Sequence, residues 1–175
     1  MVAGDIAGLL TTRIRDVPDY PQPGILFKDI TPLLADGAAF AEAVGAMAAG
    51  YEGVSKVVGI EARGFILAAP VAVMLGAGFV PVRKQGKLPA ETYAQSYELE
   101  YGAATLEVHT DAFDATDQVL IVDDVLATGG TAAATAELIR RAGATVAGLV
   151  VLLELEFLGG RGKLAGLPLR SLVTV

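Results

Sequence analysis

The sequence predicts an α/β protein built on a doubly wound, mostly parallel sheet, and three observations predict it. From residue 56 onward short apolar runs alternate with helical patterns: Val57-Val58-Gly59-Ile60 leads into 64–75, 79–82 follows, and later come 119–122, 131–141 and 145–153. The runs are apolar without alternation, as strands covered on both faces are, and a βαβ rhythm of this kind calls for a parallel sheet. The chain has 175 residues, 53% of them hydrophobic and 19% charged, which is the length of a single domain with a sizeable core.

In chain order, Ile6, Leu9, Leu10 and Ile14 recur at helical spacing, as do Phe40, Val44 and Met47, with Asp36 placed to cap the second helix. Between them the Pro-rich segment 18–32 reads as too irregular for a helix and too apolar for a linker. Residues 65–82 carry no charge and reach the length at which a membrane span is considered. Pro70, Gly76, Gly78 and Pro81 divide that stretch into a buried helix and a short buried strand, so no membrane span is expected. In residues 84–101, Gly86 and Pro89 break the chain, and Tyr93, Tyr97, Leu99 and Tyr101 then fall on one face of an extended strand. A two-stranded flap over the sheet edge, about 84–108, accounts for that pattern. The single histidine, His109, is read as a surface or hinge residue.

Composition excludes several functions. Thirteen Lys plus Arg against twenty Asp plus Glu give a net charge of −7, which disfavours a nucleic-acid partner and requires any anionic ligand to meet a local positive site. With no cysteine there is no disulfide scaffold, thiol nucleophile or zinc ribbon, and a cytoplasmic location is expected. Residues 1–14 carry Asp5 and Arg13 and do not read as a signal peptide.

The chemistry concentrates in Val119-Leu120-Ile121-Val122-Asp123-Asp124-Val125-Leu126-Ala127-Thr128-Gly129-Gly130-Thr131. A four-residue strand ends in two carboxylates, a loop turns through a Gly pair, and an Ala-rich helix begins at Thr131. Ligands of doubly wound sheets bind at the carboxyl ends of the strands. Gly129 and Gly130 let successive backbone N–H groups wrap an anion, the helix N-terminus adds its positive end, and Thr128 and Thr131 supply hydroxyls. Asp123 and Asp124 would repel a bare phosphate, but the hydroxyls of an attached polyol satisfy them, so the expected ligand is a sugar phosphate, specifically a ribose 5-phosphate.

This segment resembles the 5-phosphoribosyl-1-diphosphate binding motif of the type I phosphoribosyltransferase family: apolar strand, acid pair, two-residue spacer and Ala-Thr-Gly-Gly-Thr all match. The resemblance implies that Asp123 and Asp124 hold the ribose hydroxyls and that Ala127, Thr128, Gly129, Gly130 and Thr131 hold the 5-phosphate. It implies that Ala62, Arg63 and Gly64 form the diphosphate loop, often opened by a cis peptide bond to a non-proline residue, with Glu61 available to orient that loop or a metal-bound water. Arg83, Lys84 and Lys87, three cations in five residues beside a Gly-Pro break, are then the flap cations that meet the expelled diphosphate. Mg2+ is the implied cofactor, held mainly through substrate and water with no protein residue as a direct ligand. A homodimer is implied as well, with Lys84 reaching the neighbouring subunit.

The acceptor is indicated by Pro18-Asp19-Tyr20-Pro21 and Pro23-Gly24-Ile25-Leu26-Phe27-Lys28-Asp29-Ile30-Thr31-Pro32, which resemble the N-terminal hood, about 1–34, of the adenine phosphoribosyltransferase family. Glu61-Ala62-Arg63-Gly64-Phe65, Tyr97-Glu98-Leu99-Glu100-Tyr101-Gly102 and Leu158-Gly159-Gly160 match it too. Adenine is then the second substrate: Phe27 stacks on it, the backbone of Ile25 and Leu26 offers N1 and the exocyclic amine a donor and an acceptor, and Lys28 belongs to the same run. The catalytic set under this resemblance is Arg63, Asp123, Asp124 and Glu100. Glu100 is the candidate for bonding N7 and moving the N9 proton, with Glu98 and Glu91 as rivals. Two alternatives stay open: a 6-oxopurine (xanthine) transferase, and a non-catalytic regulator that senses the diphosphoribosyl compound.

Overall fold

The computed structural model describes residues 6–98 and 103–175, in two compact units that divide after Ala46. In the N-terminal unit, helix α1 (Ile6–Arg13) buries Leu10, and its Arg13 Nε bonds Asp36 Oδ2 at 3.0 Å. The Pro-rich segment is more regular than expected. Strands β1 (Arg15–Pro18) and β2 (Leu26–Asp29) pair antiparallel from Arg15↔Asp29 to Pro18↔Leu26. The loop between them contains a cis Tyr20–Pro21 bond and is tied by Gly24 N to Asp19 Oδ1 at 2.8 Å.

The end of that segment is also a correction, because Thr31 and Pro32 open helix α2 (Thr31–Ala35). A proline in the first helical turn forfeits no intrahelical bond, and Asp29 accepts the Thr31 N–H at 2.9 Å. Helix α3 (Gly37–Ala48) follows, and Asp36 caps it as expected, its Oδ1 accepting the Ala39 N–H at 3.1 Å.

The second unit holds the sheet. Its elements are β3 (Lys56–Ile60), α4 (Arg63–Leu75), β4 (Gly78–Lys84), β5 (Thr92–Glu98), β6 (Ala103–His109), β7 (Gln118–Leu126), α5 (Gly130–Arg141), β8 (Thr145–Glu154) and β9 (Leu169–Thr174). Two 3₁₀ turns, Glu156–Leu158 and Gly160–Leu164, lie between β8 and β9. Among the described residues the strand order is β5-β6-β4-β3-β7-β8-β9, parallel from β4 to β9 and antiparallel at the β5–β6 edge. Val57, Val58, Leu120, Ile121, Val122 and Leu149 are fully buried, as strands covered on both faces must be.

The helix predicted over 64–75 passes through Pro70 and ends at Gly76, whose φ of 66° suits a glycine cap. Pro81 is tolerated inside β4 because β6 joins that strand only at Arg83 and Lys84. The flap is therefore hydrogen-bonded into the sheet edge. Its strand β5 also reaches α5: Arg141 donates to the Ala94 carbonyl at 2.7 Å and lies over the Tyr93 ring. His109 closes β6 opposite Thr92 and is half-buried.

Adjacent parallel β3 and β7 set the site. Chain order runs outward from them in both directions, and at such a switch point the loops leaving the carboxyl ends stand side by side. These are the loops carrying Glu61 to Gly64 and Ala127 to Gly129.

Candidate active site

Strand β7 outlasts its predicted end. The acid pair lies inside it, because β8 accompanies it in register from Asp123↔Val151 to Leu126↔Glu154. Asp124 is 4% exposed, and its N–H is accepted by Asp123 Oδ1 at 2.9 Å. The chain then turns at Gly129, whose φ of 79° favours glycine, and α5 begins at Gly130, one residue earlier than predicted. Asp123, Ala127, Thr128, Gly129 and Thr131 line one recess at this turn. Thr131 Oγ1 donates to the Tyr97 hydroxyl at 3.3 Å, so the flap touches the cradle directly.

The loop after β3 begins with a cis Glu61–Ala62 bond and enters α4 at Arg63. Gly64 is required there for space: a β-carbon would lie 2.8 Å from Asp123 Oδ1 and 3.0 Å from the Val122 carbonyl oxygen. The N-terminus of α4 is thereby seated on the acid pair. Arg63 Nε stands 2.7 Å from Asp124 Oδ2, an ion pair without hydrogen-bond alignment. Burial, followed by the charge of Asp124, pushes the Asp123 carboxyl well above the usual carboxylate range. Burial raises Asp124 as well, against the opposing pull of Arg63.

The flap-base cations have a partner that the sequence did not disclose. Glu61 Oε2 accepts from Arg83 Nε at 3.2 Å and from the Lys84 N–H at 3.1 Å, while Lys87 Nζ lies 2.7 Å from Glu61 Oε1. Burial alone would raise the Glu61 carboxyl, but Lys87, the Lys84 amide and Arg83 outweigh it and hold it below the ordinary value.

In the N-terminal unit, Phe27 meets Tyr20 edge-on at 5.1 Å between centroids, and the two rings with Val17 and Asp29 line a cleft of about 270 Å³. Ile25 and Leu26 are exposed, and Lys28 pairs with Asp16 at 2.7 Å. Tyr20, Val17 and Asp29 were not singled out from the sequence as lining residues. Glu100 lies outside the described residues, as do Leu99, Tyr101 and Gly102; Glu91 and Glu98 are exposed. Among the described residues no three His or acidic side chains converge on a metal position, and no helix is long and apolar enough to cross a membrane.

The model of the phosphoribosyl transferase domain matches residues 33–161, and the chain belongs to the phosphoribosyltransferase family. Within it, the chain is 64% identical to the adenine phosphoribosyltransferase of Streptomyces coelicolor, over 97% of each chain, and 62% identical to that of Thermobifida fusca, over 98% of each. The crystal structure of the adenine phosphoribosyltransferase of Thermoanaerobacter pseudethanolicus superposes with a TM-score of 0.93 at 48% identity, covering 97% of this chain and 99% of that one. The Saccharomyces cerevisiae enzyme, crystallised with adenine and an imino-altritol bisphosphate, superposes at 0.92 with 39% identity, covering 95% and 98%.

Proposed function

We propose that the protein transfers the 5-phosphoribosyl group of 5-phosphoribosyl-1-diphosphate to N9 of adenine, giving AMP and diphosphate. The observation that carries this reading is the acid pair Asp123–Asp124 at the mouth of a glycine-built anion turn on β7 and α5. The whole chain serves as one catalytic domain. Its cleft at Phe27 takes the base, with the Ile25 and Leu26 backbone and Lys28 in the same run, and its sheet unit takes the donor.

In the reaction the N9–C1 bond forms as the C1–O bond to diphosphate breaks, and the N9 proton passes to a general base, the role carried by Glu100. The ribosyl group becomes oxocarbenium-like between the two bonds. Asp123 and Asp124 accept hydrogen bonds from the ribose hydroxyls, and their negative field favours that cationic character. The amides of Ala127 to Thr131 and the Thr128 and Thr131 hydroxyls hold the 5-phosphate. Ala62, Arg63 and Gly64 receive the diphosphate, with Arg63 exchanging Asp124 for the leaving group. Arg83, Lys84 and Lys87 add positive charge at the flap base. Mg2+ would be held mainly through the donor's oxygens and water, with Asp123 and Asp124 accepting hydrogen bonds from that water, and would supply neutralisation of the diphosphate charge.

The protein works in the cytoplasm, in keeping with its lack of cysteine. Ile66, Val73 at 82% exposure and Met74 give α4 an exposed apolar face that suits a homodimer; sedimentation at twice the chain mass checks it. The defining assay supplies Mg2+ and donor with adenine, hypoxanthine, guanine, xanthine or orotate separately and quantifies nucleotide and diphosphate by chromatography. AMP from adenine alone is expected. Product from a 6-oxopurine would overturn the assignment of Ile25, Leu26 and Phe27, and donor binding without product would favour the regulator.

A further inference from the structure

The wall behind the phosphate turn is built from a distant part of the chain. Gly129 and Gly160 face each other with no side chain on either. A β-carbon on Gly160 would overlap the Ala127 carbonyl oxygen and stand 2.9 Å from Gly129 N, and one on Gly129 would overlap the Gly160 carbonyl oxygen. So close a backbone contact needs something to hold it. Gly160 opens the 3₁₀ turn Gly160–Leu164, and Arg161 immediately after it grips Glu154 with both prongs of its guanidinium, Nε to Oε1 at 2.9 Å and a terminal nitrogen to Oε2 at 2.5 Å.

Glu154 is itself fixed. It is 5% exposed, accepts the Ser171 hydroxyl at 2.9 Å, and lies in register with Leu126, the last β7 residue before the turn. The next residue extends that tie, because Leu155 N–H donates to the Leu126 carbonyl at 2.9 Å. A planar fork on a buried carboxylate fixes direction as well as distance, which an ammonium cannot do.

We propose that Glu154 and Arg161 are positioning residues for the donor's 5-phosphate: their bidentate pair holds Gly160 against Ala127 and Gly129, so that the turn's amides are pre-set before the phosphomonoester arrives. The inference rests on the donor reading of the cradle. It assigns no direct ligand contact to either side chain.

The test is calorimetric titration of the full-length protein with ribose 5-phosphate and, separately, with inorganic diphosphate, for the parent and for Arg161→Gln, Arg161→Lys and Glu154→Gln, each checked for cooperative thermal unfolding. Arg161→Gln and Glu154→Gln should weaken ribose 5-phosphate by about tenfold. Their diphosphate affinity should stay within about twofold of the parent, as expected of independent sites. In initial-rate assays the KM for donor should rise while the KM for adenine holds, and Arg161→Lys should fall between parent and Gln variant. Unchanged ribose 5-phosphate affinity in a folded Arg161→Gln, or equal losses for both anions, would overturn the positioning role. Should Arg161→Gln fail to fold, the Lys variant decides by the same ratio of affinities. A parent that binds diphosphate but not ribose 5-phosphate would instead sink the donor reading itself.

Discussion

The two loops that follow β3 and β7 share one plan, a parallel strand turning into a helix N-terminus, and differ in the side chains that surround them. After β7 the recess is lined by Asp123, Ala127, Thr128, Gly129 and Thr131, with no cation among the described lining residues. After β3 the loop is surrounded by charge: Arg63 pairs with Asp124, and Arg83 and Lys87 pair with Glu61. On the proposed function the contrast has a physical sense. The 5-phosphate stays attached from donor to product and is suited by fixed amides. The diphosphate must leave, so it is met by cations with another carboxylate to return to.

The largest effect should come from the acids between the two loops. Asp123→Asn with Asp124→Asn should lower turnover by about a thousandfold in initial-rate assays, with far-UV circular dichroism unchanged; near-normal turnover would remove the ribose-clamp role. Asp123→Asn alone should move stability the other way. The Asp123 carboxyl is raised by burial first and by Asp124 second, so the fold holds this proton more tightly than the unfolded chain does. Its stabilising contribution is full below the unfolded value of 3.8 and is lost as pH rises through the folded value. At pH 7 the Asn variant should therefore melt higher, by about 2–4 °C per kcal/mol recovered, and the gap should close in acid. A variant melting below its parent at pH 7 would contradict the cost assigned to that buried charge.

A smaller effect should separate the loops themselves. Gly129→Ala forces an alanine into φ 79° and a methyl into the Gly160 carbonyl, costing about 2–4 kcal/mol of stability in denaturant titration and abolishing ribose 5-phosphate binding. Arg63→Gln should weaken diphosphate by about tenfold, the worth of one charge-assisted bond, and leave ribose 5-phosphate affinity alone. Equal losses on both ligands from Arg63→Gln would break the comparison between backbone-built and charge-built sites.

The smallest effect belongs to Glu61→Gln, which releases Arg83 and Lys87. Both cations are partly exposed, so the cost at neutral pH should be under about 1 kcal/mol. Because the folded carboxyl lies below its ordinary value of 4.5, its contribution is present above that value and is lost as pH falls through the folded one. The parent should therefore lose its advantage over the variant in acid, measured by thermal melts from pH 7 to about pH 3. A gap of constant size across that range would show that the Glu61 ion pairs contribute nothing to the fold.

The cradle was legible because its information is local: strand, acids, glycines and helix follow one another within a few residues, and each residue type has its own conformational reason. What depended on pairing was not. Nothing in residues 18–32 states that Val17 will lie opposite Phe27, so a hairpin read as irregular chain. The end of β7 is set by the length of β8, which is why the acid pair fell inside the strand. The carboxylate that pairs with Arg83 and Lys87 was hidden because Glu61 stands more than twenty residues earlier in the chain. The Gly159-Gly160 pair was visible as a family match, yet its role depends on Glu154, Arg161 and the backbone of Ala127. That arrangement exists only once β8 is laid beside β7.

The facing glycines also bear on transplantation. A protein engineer who grafts the thirteen-residue run from Val119 to Thr131 onto another parallel sheet carries the recognisable signature and leaves its mould behind. Gly129 keeps its shape here against Gly160, whose own place is dictated from the far end of β8. The smallest portable unit is therefore discontinuous, the β7–α5 turn together with the chain from Glu154 to Leu164, and the two pieces must be moved as one casting.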